Sequence, residues 1–398
     1  MNNKKSAAII LITLCFSMLA CAEGAKELDI QPPLKELYKN DFSIGCLLSY
    51  AHVGFPSDPR VPGQSTVVSP DGGELISFHM SSMSPGNWMK AAYIVDTAAS
   101  AEAYANALTD AEKTYADTHP KVRFNPNIIA QLNWAQRQGF VFRGHTLVWH
   151  NQTPGTSFFR KGYDENGPYV SGEEMSLRLE HYISEVMRII HKGWPGMLIA
   201  MDVVNEAVTD EGLDRTKSEW YAVFGDSSYV FKAFEYARKY SIEYGEPQIK
   251  LYYNDYNTYK PRKADGIVRL CAPIFSAGYL DGIGMQEHDS IDHPTRNEWI
   301  ASYEKFDAVC SEMSVTELDV KAGTPPAKIA QAAQYKMLFT CFLERSARSG
   351  RGKIVNVTKD GLNDEWSFVK GSSLWDSQNR PKPAFYAVVD AVEDFYGD

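Results

Sequence analysis

Eight short runs rich in β-branched and apolar residues recur along the chain, at 42–49, 74–81, 140–147, 198–205, 249–256, 282–288, 313–320 and 353–359. Longer stretches between them carry apolar residues at three- and four-residue steps, as in NPNIIAQLNWAQRQG (125–139), SLRLEHYISEVMRIIHKG (176–193) and AKIAQAAQYKMLFTCFLERSARSG (327–350), each ending at a glycine. A strand followed by a helix cannot return through a hairpin, so this alternation demands parallel pairing with crossover helices. Eight such units predict an α/β fold, a single-domain (β/α)8 TIM barrel, whose functional groups gather at the C-terminal strand ends. One unit breaks the rhythm: residues 50–73, rich in Pro and Gly, read as a loop where a helix is due.

The ends of the chain are of another kind. MNNKKSAAIILITLCFSMLAC opens with two lysines and continues as an uncharged apolar stretch up to Ala20 and Cys21, the layout of an export signal. MLAC resembles a bacterial lipobox, in which Cys21 becomes the lipidated first residue. The expected organisation is a signal peptide over 1–20, a tether over 21–37 and a catalytic domain over 38–398. This places the protein in the cell envelope as a lipoprotein of the outer membrane or cell surface, or alternatively in the periplasm or medium. No later stretch reaches the roughly 18 apolar residues that a spanning helix needs. Cys46, Cys271, Cys310 and Cys341 follow no zinc or disulfide spacing and read as buried thiols, although an exported protein could still pair two of them.

The formal charge of −10 becomes more negative once Lys4 and Lys5 leave with the leader, which argues against nucleic acid or an anionic surface as partner. A neutral ligand such as a polysaccharide fits. The residues call for no cofactor and no metal, and the chain is expected to be a monomer.

The strand ends are unusually polar: His145, Asn205 with Glu206, Asn254 with Tyr256, Gln286 with His288, and Glu317 with Asp319. A lone glutamate after a strand more often starts a helix, because an acid is favourable near a helix N-terminus. A barrel, however, brings all of these ends to one rim. Two carboxylates there, among amides and aromatics, are the apparatus of glycoside hydrolysis. Trp149, Trp366 and Trp375 could stack on sugar faces, although tryptophan is also a good core residue.

The segments GHTLVWHNQTP (144–154), DVVNEAVTD (202–210), LYYNDYN (251–257), GIGMQEH (282–288), SVTELDV (314–320) and RPKPAFYAV (380–388) resemble, in order and spacing, glycoside hydrolase family 10. That family consists chiefly of endo-β-1,4-xylanases on a (β/α)8 barrel, and the resemblance runs from about residue 40 to the C-terminus. It implies a retaining double displacement on xylan or a related β-glycan, with Glu206 as acid/base and Glu317 as nucleophile. His288, Asp319, Asn205, Gln286 and Asp202 would support the chemistry. Asn87, Lys90, His145, Trp149, Gln152, Asn254, Tyr256 and Trp366 would bind substrate.

Two departures fall on the glycone side. SPGNWMK (84–90) has Gly86 where the family has a glutamate, and IVNVTKD (354–360) puts Val355 or Asn356 where a tryptophan lines the cleavage point. The stretches 50–73 and 91–124 could rebuild that side. Alternative readings are a β-glycanase or exo-glycosidase with altered glycone preference, and a surface glycan-binding lipoprotein without turnover. A binder would have no need of both glutamates and their His288 and Asp319 support.

Overall fold

The computed structural model describes residues 31–53, 70–323 and 326–397. The compact unit that carries the site runs from Pro32 to Asp398. Its strands are β1 (Ser43–Leu47), β2 (Ser82–Ser84), β3 (Val141–Trp149), β4 (Leu198–Asn205), β5 (Lys250–Asp255), β6 (Gly282–Met285), β7 (Glu312–Lys321) and β8 (Lys353–Lys359). Neighbours in this series pair in parallel, and β8 pairs with both β7 and β1, which closes the barrel. A three-residue strand, His288–Ser290, adds to the upper part of β7 and sets His288 beside Asp319.

The crossover helices form for local reasons. Asn125 caps Pro126–Arg137, whose first residue, a proline, lacks only an N–H the helix would not have bonded. Ser171 and Glu174 form a capping box on Gly172–Gly193. That helix buries Met175, Leu179, Tyr182, Ile183, Val186 and Ile190, a stripe at three- and four-residue steps that faces the barrel.

Residues 74–81 correct the sequence reading. The expected strand is instead the end of a helix, Pro70–His79, and β2 follows it. Burial falls at Gly72 and Gly73, Leu75 and Ile76, then His79 and Met80, the period of a helix rather than a strand. In β2 only Met83 is apolar, flanked by Ser82 and Ser84, so the strand has no hydrophobic signature. The barrel interior here is polar: Asn356 Nδ2 donates to Ser43 Oγ at 2.8 Å and to Ser82 Oγ at 3.1 Å.

Of the 50–73 segment, residues 54–69 lie outside the described residues, and its flanks are helical, at Tyr50–Val53 and Pro70–His79. The signal peptide and Cys21 also lie outside them. Residues 91–124 form short helices, Ala91–Ile94, Thr97–Asn106 and Asp110–Thr118, and a small antiparallel ribbon of Val95–Asp96 with Lys121–Val122. A buried ion pair between Arg178 and Asp117 ties this stretch to the barrel's helical layer. Cys46, Cys271, Cys310 and Cys341 are buried and unpaired. No helix among the described residues is long and apolar enough to cross a membrane.

Candidate active site

A cleft of about 790 Å³ opens at the C-terminal strand ends. Glu206, Glu317, His288, His145, Gln286, Tyr256, Trp149, Gln152, Asn87, Lys90 and Trp366 all line it. Asn205, Asn254, Asp202 and Asp319 lie behind this wall, buried, and hold its members in place.

Glu206 follows the last residue of β4 and takes a left-handed backbone, φ 56°. Its amide donates to the Asn254 carbonyl at 2.9 Å, which fixes this unfavourable conformation. The carboxyl is held by neutral donors: Trp149 Nε1 at 2.9 Å, Gln286 Nε2 at 2.9 Å and Asn205 Nδ2 at 3.2 Å. His150 stands 3.8 Å away through Nδ1, and burial together with the Arg215 charge lowers its pKa, favouring the neutral ring.

Glu317, on β7, meets charge instead. Burial opposes its ionised form, but His145, His288 and Lys90 outweigh that and bring its pKa down to about 2. His288 Nε2 is 3.6 Å from Glu317 Oε2, and His288 Nδ1 is 3.1 Å from Asp319 Oδ2. Burial would disfavour an imidazolium at His288, yet its bonds to Asp319 and Glu317 push its pKa well above the usual value. His145 Nε2 lies 3.9 Å from Glu317 Oε1, and its Nδ1 lies 3.0 Å from Asp202 Oδ2. Asp202 also pairs with buried Arg143.

Side-chain amides connect the two carboxyls. Asn254 Nδ2 donates to Glu317 Oε1 at 3.1 Å and to Asn205 Oδ1 at 3.0 Å, and Asn205 in turn donates to Glu206. Thr316 Oγ1 fixes the orientation of Asn254 by donating to its Oδ1 at 2.7 Å. The approach requires glycine at 284, where an added Cβ would come within 2.4 Å of Asn254 Oδ1.

On the other side, Lys90 Nζ donates to Asn87 Oδ1 at 2.8 Å and Gln152 Oε1 at 2.9 Å, and sits 4.5 Å from the Trp149 ring centroid. Tyr93 completes this group through its hydroxyl, 3.3 Å from Gln152 Nε2. Tyr93 is the one residue of the 91–124 stretch that lines the cleft.

Two sequence expectations are corrected. Trp375 is fully buried against His79 and Phe385, so it offers no face to a sugar. Val355 and Asn356 do not line the cleft: they lie low on β8, Val355 outward and Asn356 in the barrel interior. The wall at that strand's end is Asp360, Trp366, Ser367 and Phe368.

Asp360, the last residue of IVNVTKD, and Phe368, in the loop that follows, are not among the sequence expectations, because both lie beyond the strand. His150, the residue after Trp149, is a further neighbour of Glu206 that the sequence motif contains. His288, Asp319 and Asp360 each offer a ligand atom within 4.8 Å of the others, which is cation-holding spacing. The two ring nitrogens of His288 face carboxylates, however, as an imidazolium's would, and leave it no lone pair for a metal.

The model of glycosyl hydrolase family 10 matches residues 34–391, and the chain belongs to that family. Endo-1,4-beta-xylanase B of Butyrivibrio fibrisolvens is 34% identical over 90% of this chain and 53% of its own length. Endo-1,4-beta-xylanase Y of Acetivibrio thermocellus is 34% identical over 71% of this chain, which spans 28% of that larger protein. Among solved structures, the CBM22-1–GH10 modules of Clostridium thermocellum endo-1,4-beta-D-xylanase 10B, complexed with xylohexaose, superpose with a TM-score of 0.77. They are 30% identical, over 92% of this chain and 69% of theirs. The intracellular xylanase of Thermoanaerobacterium saccharolyticum, as a mutant complexed with xylotriose, gives 0.71 at 28% identity, over 90% of this chain and 98% of its own.

Proposed function

We propose that the chain is a retaining endo-β-1,4-xylanase that cuts internal bonds of xylan by double displacement. The observation that carries this reading is the asymmetry of the two carboxyls. Three cationic or imidazole groups converge on Glu317 and hold it ionised, whereas the hydrogen bonds to the Glu206 carboxyl come from the neutral donors Trp149, Gln286 and Asn205, with the Lys90 and Arg215 charges acting on it without a hydrogen bond. Such a pair divides nucleophile from acid.

In the first step Glu317 attacks the anomeric carbon while Glu206 gives its proton to the departing glycosidic oxygen. In the second, Glu206 takes a proton from water, which displaces Glu317 and returns both groups to their starting states. Asn205 and Asn254 donate toward the reaction centre, and Trp149, Gln152, Lys90 and Asn87 grip the glycone.

Product masses from plain and decorated xylans, mixed-linkage glucan and cellulose test the substrate; internal cleavage confined to glucans would overturn it. Glu206→Ala should slow poor-leaving-group glycans by roughly 100- to 10,000-fold and activated aryl glycosides much less, with azide restoring rate. Equal loss on both substrates without an azide effect would refute the acid/base assignment.

Residues 1–20 are read as a signal peptide, 21–37 as a tether and Cys21 as the lipidated residue, so that the catalytic domain works as a monomer at the cell envelope. The lipobox-like MLAC supports the lipid anchor. Cys21→Ala should move the protein from the membrane to the soluble fraction; membrane retention of the variant would sink the assignment.

A further inference from the structure

Asp360 is buried at the end of β8, yet it lines the cleft beside Glu317 and His288. Its backbone amide donates to the Leu318 carbonyl at 3.0 Å, and its Oδ2 accepts from Phe368 N at 3.3 Å, so its place is fixed from two sides. A carboxyl oxygen of Asp360 lies within 4.8 Å of one from Asp319 and of a His288 ring nitrogen. Asp319 Oδ2 is committed to His288, while its Oδ1 is buried with no other donor. Two carboxyls can share a hydrogen bond only if one carries the proton.

We propose that Asp360 is a positioning residue for Glu317: as a protonated acid it donates to Asp319 Oδ1 and completes a chain from Asp360 through Asp319 and His288 to the nucleophile. This rests on the reading of Glu317 as nucleophile. Along the chain the groups are a neutral acid, an anion, a cation and an anion, so each contact joins a donor to an acceptor.

The surroundings agree with this protonation. Burial raises the Asp360 pKa to about 7; the His288 charge opposes this, and Asp319 and Glu317 add to it. The other charges facing it are Lys90, across the cleft, and Lys359, whose buried Nζ has no hydrogen-bond partner and whose pKa burial brings down to about 8. Lys382 stands behind Lys359. Above neutrality Asp360 loses its proton, and a hydrogen bond becomes a repulsion between adjacent carboxylates. Asp319 is then free to turn, and the imidazolium that orients Glu317 loses its support.

An aryl β-xylobioside with a good leaving group isolates the nucleophile's step, since its departure needs no proton from Glu206. On it the wild-type kcat/KM should fall as pH rises through about 7. Asp360→Asn keeps a donor at every pH: it should lose a few-fold at pH 6 and shed that alkaline fall. Asp360→Leu has no donor and should lose about 10- to 100-fold across the range. An alkaline fall unchanged in Asp360→Asn, or equal behaviour of the Asn and Leu variants, overturns the proposal.

Infrared difference spectra between wild type and Asp360→Asn give a readout apart from turnover. A protonated carboxyl C=O band should be present at pH 5.5 and gone at pH 9. Its absence at pH 5.5 refutes the proposal even if the wild type proves inert on xylosides, an outcome that would by itself overturn the functional reading instead.

Discussion

Trp149 Nε1 donates to Glu206 Oε2 at 2.9 Å, so one tryptophan both forms the cleft wall and aims the acid. A hydrogen bond to a carboxylate is worth about 1.5–3 kcal/mol. Trp149→Phe keeps an aromatic face and removes the donor. We expect kcat on xylan to fall by about 10-fold or more, with a smaller loss on activated aryl glycosides. A rise in KM alone, with kcat intact, would make Trp149 a stacking platform only.

Glu317 also links the site to acid stability. Its folded pKa of about 2 lies below its ordinary value of 4.5, so ionised Glu317 stabilises the fold above pH 4.5, and the contribution disappears as pH falls toward 2. The shift corresponds to something on the order of 3 kcal/mol. The Tm of Glu317→Gln should lie furthest below wild type above pH 5, and the gap should close between pH 4.5 and 2. A constant gap across that window would show that the neighbouring charges do not hold the carboxylate.

Phe368 is 82% exposed at the cleft edge, with its ring 5.9 Å from that of His288. A large aromatic left in water beside a sugar cleft is a stacking surface. Phe368→Ala should raise KM for long xylo-oligosaccharides several-fold and leave kcat close to wild type; unchanged KM at every chain length would remove the residue from the binding surface.

Gly86 has φ +57°, and an added Cβ would meet nothing closer than Leu48 O at 3.6 Å. Space permits a side chain there, but the left-handed backbone costs roughly 1–2 kcal/mol for a residue other than glycine. Without a carboxylate at 86, the wild type should favour branched over linear xylo-oligosaccharides in kcat/KM. Gly86→Glu should improve the linear substrate while lowering Tm. A wild type that prefers xylotetraose, with no gain in the variant, would mean that the glycone side is built on other contacts.

What was legible in the sequence follows from how many residues each feature uses. Long periodic segments such as 198–205 and 176–193 announce themselves, and β4 occupies 198–205 in the structure. Ser82–Ser84 is too short and polar to register, while the helix before it holds enough apolar residues to imitate a strand. Residues that touch within one strand end, such as Asn205 and Glu206, are visible as motifs. Trp149 and Glu206 meet only because β3 lies beside β4. Asp360 and Phe368 are placed by a loop whose path no periodicity describes, and Trp375 is as plausible in a cleft as in a core until packing decides.

The left-handed backbone at Glu206 has an evolutionary consequence. Only a glycine would sit there without strain, and asparagine with little. Glu206→Gly should therefore produce a barrel that melts higher and barely hydrolyses xylan, provided the loss of the bonds from Trp149 and Gln286 does not offset the relief. Mutation that is screened only for foldability would drift toward that residue. Under the proposed mechanism, the strain at Glu206 is offset by the turnover that its carboxyl provides.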